Sequence, residues 1–314
     1  MLTHACIRKT NRAGKHQHTH RYSYLAFMRN EFTRKIWYSL SSSQRMQVRR
    51  LWHLPADLWD RATGKTHRYV PPRGLIFTGS AAGSQAYLEQ GRHQVALLQR
   101  TLDLQPNQDV LDVGSGVGRT AAALTEYLSS EGSYSGFDII EKAVDWCKSR
   151  IGKDFPNFQF THVPLHNDLY TSQGQDPSAF TFPYGDASMD VSFSFSVFTH
   201  MQPDAVDRYL HETARTLRSD GLAMHTFFVY EPEEEEAVAT NSRFAFPVQR
   251  EGYRLMDEKV TGGNIAFAKA YLQQLLDKNG LEWVSYEPGF WRPSKPENAT
   301  EYQDVVVMRR KQPH

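Results

Sequence analysis

Apolar and polar positions change period several times along the 314-residue chain, and each change marks an element. Between residues 24 and 40, Tyr24, Leu25, Phe27, Met28, Phe32, Ile36, Trp37 and Leu40 recur at spacings of three and four among basic residues, the pattern of an amphipathic helix. Ser41 to Ser43 interrupt that pattern, and a second helix is expected from Gln44 to about Leu54, ending before Pro55. A Gly-rich loop over 74–83 precedes a helical stretch at 85–102. Short apolar runs then alternate with helical periods: strands at 109–113, 134–137 and 158–163, with helices at 119–129 and 141–151. Further strands fit 191–196 and 221–228, with a helix at 204–217 between them. A helix at 265–279 and strands at 281–287 and 304–308 close the chain. Strands alternating with helices imply a mostly parallel sheet covered on both faces. The last two strands have no helix between them, because Pro288, Gly289, Pro293 and Pro296 crowd the connection. They are expected to form an antiparallel pair at one edge.

Composition alters this picture little. No run approaches the roughly 18 apolar residues that would span a bilayer, and the start lacks an apolar signal core, so the chain reads as soluble and cytoplasmic. The two cysteines, Cys6 and Cys147, offer neither a disulfide nor a metal motif, and no metal is expected. Charge is more informative. Residues 1–66 hold thirteen Lys or Arg against three acids, a net +10, so an overall charge of +1 leaves −9 on the remainder. The chain is therefore divided into a basic N-terminal extension, residues 1–66, without structure over 1–20 and helical beyond, and a catalytic domain, residues 67–314. Such a leader can meet nucleic acid, an anionic membrane surface or the acidic body, serve as an organellar transit segment, or remain a solvated tail. Residues 230–264, which begin near the acidic run Glu233 to Glu236, interrupt the alternation and are expected to form a lid or acceptor wall. Tyr230, Phe244, Phe246, Tyr253, Trp291 and Arg292 are candidates to line a cleft there, or else to pack the loop down.

The chemistry is concentrated after the first strand of the sheet. Gly114, Gly116 and Gly118 follow a short apolar strand and open a helix, which lets the backbone turn sharply and aims free amides at a ligand. The dinucleotide fingerprint needs a small residue where Arg119 stands, which disfavours a dinucleotide. Asp112 sets a carboxylate where a pyrophosphate is repelled and a sulfonium with a free amino group is attracted. Asp138 ends the next strand, about twenty residues on, where it can accept both ribose hydroxyls. The plainer alternative is that both aspartates cap turns.

At these residues the chain resembles the class I S-adenosylmethionine-dependent methyltransferase family, over most of residues 110–310. The matching motifs are VLDVGSGVGR from Val110, GFDI from Gly136, FPYGDASMDVSFSFSVFTHM from Phe182, YLHETARTLRSDGLAMHTFF from Tyr209 and QDVVV from Gln303. The resemblance implies a Rossmann-like α/β fold, with a seven-stranded sheet of order 3-2-1-4-5-7-6 and an antiparallel seventh strand. It implies S-adenosylmethionine as cofactor, with Asp112, Gly114, Ser115, Gly116 and Gly118 around the methionine moiety. Asp138 and Ile139 would meet the ribose and adenine, and Phe195 and Ser196 would floor the sulfonium. Where the family often has an acid for the adenine amino group, this chain has Pro164, which leaves the Leu165 amide as the expected contact, or Asn167 and Asp168.

His200, at the carboxyl edge after the fourth strand, is the candidate general base if the acceptor is a hydroxyl; His162 and His166 are less well placed. The alternative is that His200 only starts the next helix. The expected acceptor is a small molecule or sugar, methylated on oxygen. A nucleic-acid acceptor is disfavoured by the acidic body and by the lack of an NPPY or DPPY tetrapeptide. A non-catalytic scaffold that binds the cofactor is the alternative from another class.

Overall fold

The computed structural model describes residues 40, 42–76, 83–167, 171, 174–242, 244–260, 262–294 and 296–312. The expected helix at 24–40, apart from Leu40, the middle of the Gly-rich loop and Asp168 lie outside them. The elements in chain order are α1 (Ser42–Ala62), α2 (Ser84–Leu102), β1 (Asp109–Val113), α3 (Arg119–Leu124), β2 (Ser133–Asp138), α4 (Glu141–Cys147) and β3 (Phe158–His162). There follow β4 (Met189–Ser194), α5 (Pro203–Thr216), β5 (Leu217–Phe227), β6 (Val229–Tyr230), α6 (Glu235–Thr240), β7 (Val248–Arg250) and β8 (Tyr253–Leu255). The chain closes with β9 (Ile265–Ala268), α7 (Lys269–Lys278), β10 (Leu281–Glu287) and β11 (Asp304–Arg310).

Seven strands form the main sheet in the order β10-β11-β5-β4-β1-β2-β3. β1 to β5 pair in parallel, and β11 runs antiparallel to both β5 and β10. This is the order implied by the sequence resemblance, antiparallel edge included. Alternate residues serve the two faces, as the period of two requires. Leu111, Val113 and Phe137 pack with Val206, Tyr209 and Leu210 of α5 and with Leu272 and Leu276 of α7. Val110, Tyr134 and Phe193 pack with Val95 and Leu98 of α2, Ala121 to Leu124 of α3, and Val144 and Cys147 of α4. Both faces are dry, which is why these strands read as continuous apolar runs.

Two expectations fail for physical reasons. α1 does not stop before Pro55 but continues to Ala62. Pro55 lies exposed, so the carbonyl it leaves without a donor is on the solvent side. Ile265 to Ala268 is not the first turn of a helix but a strand. Its partners are β8, antiparallel, and β6, parallel, within a second sheet of order β6-β9-β8-β7. That sheet spans residues 229–268, so it takes in the 230–264 segment together with the strand that follows it. Its interior is built of Phe228, Tyr230, Val238, Phe246, Ala266 and Trp291, with Phe244 packed against them. These aromatics pack the insertion down, and none of them belongs to the lining of the cavity at the carboxyl ends of β1, β2 and β4. Among the described residues, no helix is long and apolar enough to cross a membrane.

Candidate active site

A cavity of about 340 Å³ opens at the carboxyl ends of β1, β2 and β4, the edge where parallel α/β sheets receive ligands. Gly114 and Gly116 reach it after β1, Asp138 and Ile139 at the end of β2, Leu165 after β3, and Phe195, Ser196 and His200 after β4. Gly262, from the insertion, completes the rim beside Asp204 and Tyr209 of α5. Three acids, Asp138, Asp176 and Asp204, belong to this lining, and among the described residues no Lys or Arg does. The field therefore favours a neutral or cationic occupant.

The glycine loop has the backbone that the sequence demanded. Gly114 sits at φ 81°, and a Cβ there would lie 2.4 Å from Val197 Cγ2. Gly116 sits at φ 53° with nothing within 4 Å of where a Cβ would be, so it presents open backbone to the cavity. Its amide donates to Asp138 Oδ2 at 2.8 Å, while the Ile140 amide donates to Oδ1, also at 2.8 Å. Each oxygen thus keeps acceptor capacity. Burial pushes the Asp138 carboxyl above the usual carboxylate range, and the two amides pull it back.

Three residues expected at the methionine moiety do not line the cavity. Gly118 caps α3, and a Cβ on it would meet Cys147 Sγ at 2.8 Å. Ser115 is buried beside Gly136, its hydroxyl without a hydrogen-bond partner among the described residues. Asp112 is turned to Tyr134, whose hydroxyl donates to Oδ2 at 2.7 Å. Burial raises the Asp112 carboxyl to about 7, against the pull of that hydroxyl and with a further push from Asp138. Tyr134 escapes a sequence reading, because its meeting with Asp112 depends on the register that sets Asp112 opposite Gly136. Gly136 leaves the space: a Cβ there would lie 2.7 Å from the Tyr134 hydroxyl.

β4 ends at Ser194, so Phe195 and Ser196 belong to the turn and not to the strand. Ser196 adopts φ 59°, a left-handed conformation that costs a β-carbon residue about 1 kcal/mol. It is held there by its amide, which donates to Thr226 Oγ1 at 2.8 Å, and by its hydroxyl, which donates to Gln303 Oε1 at 2.9 Å. His200 closes a short 3-10 turn, Phe198–His200. Its Nδ1 lies 3.2 Å from the Gly262 carbonyl oxygen. A carbonyl only accepts, so Nδ1 carries the proton and the neutral ring keeps its lone pair on Nε2. Burial lowers the imidazole from its ordinary value, and the carbonyls of Gly262 and Gly263 oppose that shift. The ring is therefore neutral at pH 7, with a lone pair available on Nε2. Among the described residues no cluster of His, Cys, Asp or Glu could hold a metal ion.

Residues 111–225 match the family model described as a methyltransferase domain. Among solved structures the chain is similar to 1,6-didemethyltoxoflavin-N1-methyltransferase of Burkholderia thailandensis. Identity is 19% and the TM-score 0.47, over 73% of this chain and 80% of that one. The PH0226 protein of Pyrococcus horikoshii OT3 shares 16% identity at a TM-score of 0.47, over 73% of this chain and 92% of its own. The cyclase SpnF shares 14% identity at a TM-score of 0.47, over 85% and 96% respectively. Identities this low say nothing of substrate.

Proposed function

We infer that this chain, a member of the class I S-adenosylmethionine-dependent methyltransferase family through its domain at residues 111–225, methylates a hydroxyl of a small molecule or sugar. One observation carries the cofactor assignment: a strand-end carboxylate, Asp138, held by two backbone amides, one of them from the left-handed glycine loop, at the wall of a cavity lined by acids. The remaining acceptor capacity of Asp138 suits the two hydroxyls of a ribose. Ile139 and Leu165 flank the adenine in this reading, and Phe195 and Ser196 lie below the sulfonium. Gly114 and Gly116 pass beside the methionine moiety without a side chain to obstruct it. Ser115 lies buried beneath the loop, its hydroxyl without a partner among the described residues, and would reach the methionine moiety only if the loop adjusts on binding. Gly118 and Asp112 act at one remove, by starting α3 and by placing an acid with its Tyr134 partner beneath the loop.

When bound, S-adenosylmethionine supplies an electrophilic methyl group on a good leaving group, so the protein needs mainly to align the acceptor and exclude water. His200 does the remaining chemistry. Its Nε2 would take the proton of the acceptor hydroxyl, which frees the acceptor oxygen to receive the methyl group that the cofactor would supply. Gly262 brings the 230–264 insertion to the rim, which supports that segment as the acceptor wall of a 67–314 catalytic unit. A polyanionic acceptor is disfavoured by the acids in the lining. Isothermal titration with S-adenosylmethionine and S-adenosylhomocysteine tests the cofactor, and mass spectrometry of an acceptor panel incubated with methyl-labelled cofactor tests the reaction. Binding without turnover on any acceptor would leave a scaffold; no binding would sink the reading.

A further inference from the structure

Helix α1 is docked on the domain the wrong way round for a soluble protein. Its inner face is polar. Asp57 and Asp60 accept from the Arg73 guanidinium at 2.9 and 2.5 Å, and Arg49 donates to the Ile76 carbonyl oxygen. Half-buried His53 completes that row, at the three- and four-residue spacing of one helix side. The opposite side carries Val48, Leu51, Trp52, Leu54, Leu58 and Trp59, and all six are exposed: Leu51 by 69%, Trp52 by 58%, Leu58 by 53% and Trp59 by 65%. Folding normally hides the apolar stripe of such a helix and leaves its polar stripe wet. Here the polar stripe is occupied by specific ion pairs, which fixes the helix and presents two tryptophans and three leucines outward. A contiguous apolar surface of this kind marks an interaction site.

We propose that this face of α1 lies on an anionic lipid bilayer, parallel to its surface. Charge selects that occupant. Arg50 and Arg61, both exposed, flank one long edge of the apolar stripe by helical spacing, and exposed Lys65 follows the helix. Between residues 42 and 66 five basic residues, Arg45, Arg49, Arg50, Arg61 and Lys65, outnumber two acids, Asp57 and Asp60, whereas the chain from residue 67 onward carries −9, so a negative surface attracts α1 more than the rest of the domain. Tryptophan and leucine over a basic rim are the composition that settles at the boundary of headgroups and acyl chains. No described helix can cross a membrane, so contact of this kind is peripheral. It would hold the domain, and with it the active-site edge, close to acceptors dissolved in or collected at a membrane.

The test is co-sedimentation of the full chain with vesicles of phosphatidylcholine mixed with phosphatidylserine, in comparison with vesicles of phosphatidylcholine alone. Wild type should bind the mixed vesicles and lose about fivefold in affinity for each basic residue whose attraction is removed by neutral lipid or high salt. Trp52→Ser/Trp59→Ser should weaken binding by at least about tenfold. Because both side chains are exposed, its circular dichroism and melting temperature should match wild type, which separates lost docking from lost folding. Failure of wild type to bind mixed vesicles would overturn the proposal, as would a double variant that binds as well as wild type. So would a wild-type dimer by light scattering that the double variant dissolves, since the face would then belong to a second copy of the chain.

Discussion

Asp138 and Asp304 stand at the same edge of the main sheet, one ending parallel strand β2 and the other beginning antiparallel strand β11 opposite Phe227. Both are buried, and both carboxyls are pushed upward by that burial. Their partners differ. Asp304 takes donors on every side: the amides of Val229 at 2.6 Å and Gly289 at 2.8 Å, Trp291 Nε1 at 2.7 Å, and the Tyr286 hydroxyl and Arg292 Nε at 3.2 Å. Asp138 is given two backbone amides and a cavity. The same residue type is saturated where it fastens the small sheet to the large one, and left with spare acceptors where a ligand is expected. Burial alone does not tell the two acids apart; the unused lone pairs do.

The largest effect is expected from Asp304→Ala. It leaves a buried guanidinium, an indole N–H and two amides without their common acceptor, for a cost of about 3–5 kcal/mol of stability by urea denaturation. A loss under about 1 kcal/mol would mean that the contrast between the two aspartates is only geometric. His200→Asn comes next, because it removes a base without removing a structural anchor. Turnover should fall by roughly a hundredfold to ten-thousandfold while cofactor affinity holds. In wild type the rate should decline as pH falls through the lowered pKa of His200, at a pH below the roughly 6.5 of a free imidazole, and the variant should lack that limb. Full turnover in His200→Asn would make the residue a fastening for Gly262 only.

Asp138→Ala should be milder for the fold and selective for the ligand. Two charge-assisted hydrogen bonds to a ribose are lost, which corresponds to a drop in cofactor affinity of about tenfold to a hundredfold. The Gly116 and Ile140 amides lose their acceptor too, but both border the cavity and water can replace it. Titration of the variant with S-adenosylhomocysteine decides the matter. Unchanged affinity removes Asp138 from the ribose, and collapse of the fold makes it a second Asp304.

How far the sequence could carry this contrast depends on range. The position of Asp138 was legible because it rests on local signals, a strand end about twenty residues after a glycine turn, and the β1–α3–β2 unit folds as those signals read. His200 was legible as a strand-end residue for the same reason. Asp304 was not, because its donors come from β6, β10 and the proline-rich connection, and only the closed edge pair brings them together. Ile265 to Ala268 misled for a related cause: the apolar run leads straight into the helical period of α7, and only pairing with distant β8 and β6 makes it a strand. The aromatics near the insertion could be assigned neither to a cleft nor to a core until the second sheet was in place. The docking of α1 by its polar face was hidden entirely, since a stripe pattern shows two faces and not which of them meets the protein.

Asp112 falls between the two cases, and the smallest predicted effect tests it. It is a third strand-end aspartate, with one named donor, the Tyr134 hydroxyl, and no exposure to the cavity. Its folded pKa, about 7, lies above the ordinary 3.8. The folded state therefore holds this proton more tightly, and the stability from that preference is complete below about 3.8 and lost as pH rises through 7. Buried His225 works in the opposite sense. Burial lowers it to about 3, so its contribution is intact above 6.5 and is lost as pH falls toward 3. Tyr134→Phe isolates the acid from the imidazole. At pH 5 the protonated Asp112 loses a neutral hydrogen bond, worth about 1 kcal/mol, whereas at pH 8 the carboxylate loses a charge-assisted one, worth about 2 kcal/mol. Urea denaturation of wild type and variant at the two pH values should show the gap widen with pH. An equal gap at both would mean that Asp112 does not ionise within the folded protein across this range, and that it serves the glycine loop as a neutral hydrogen-bonding group and not as a charge.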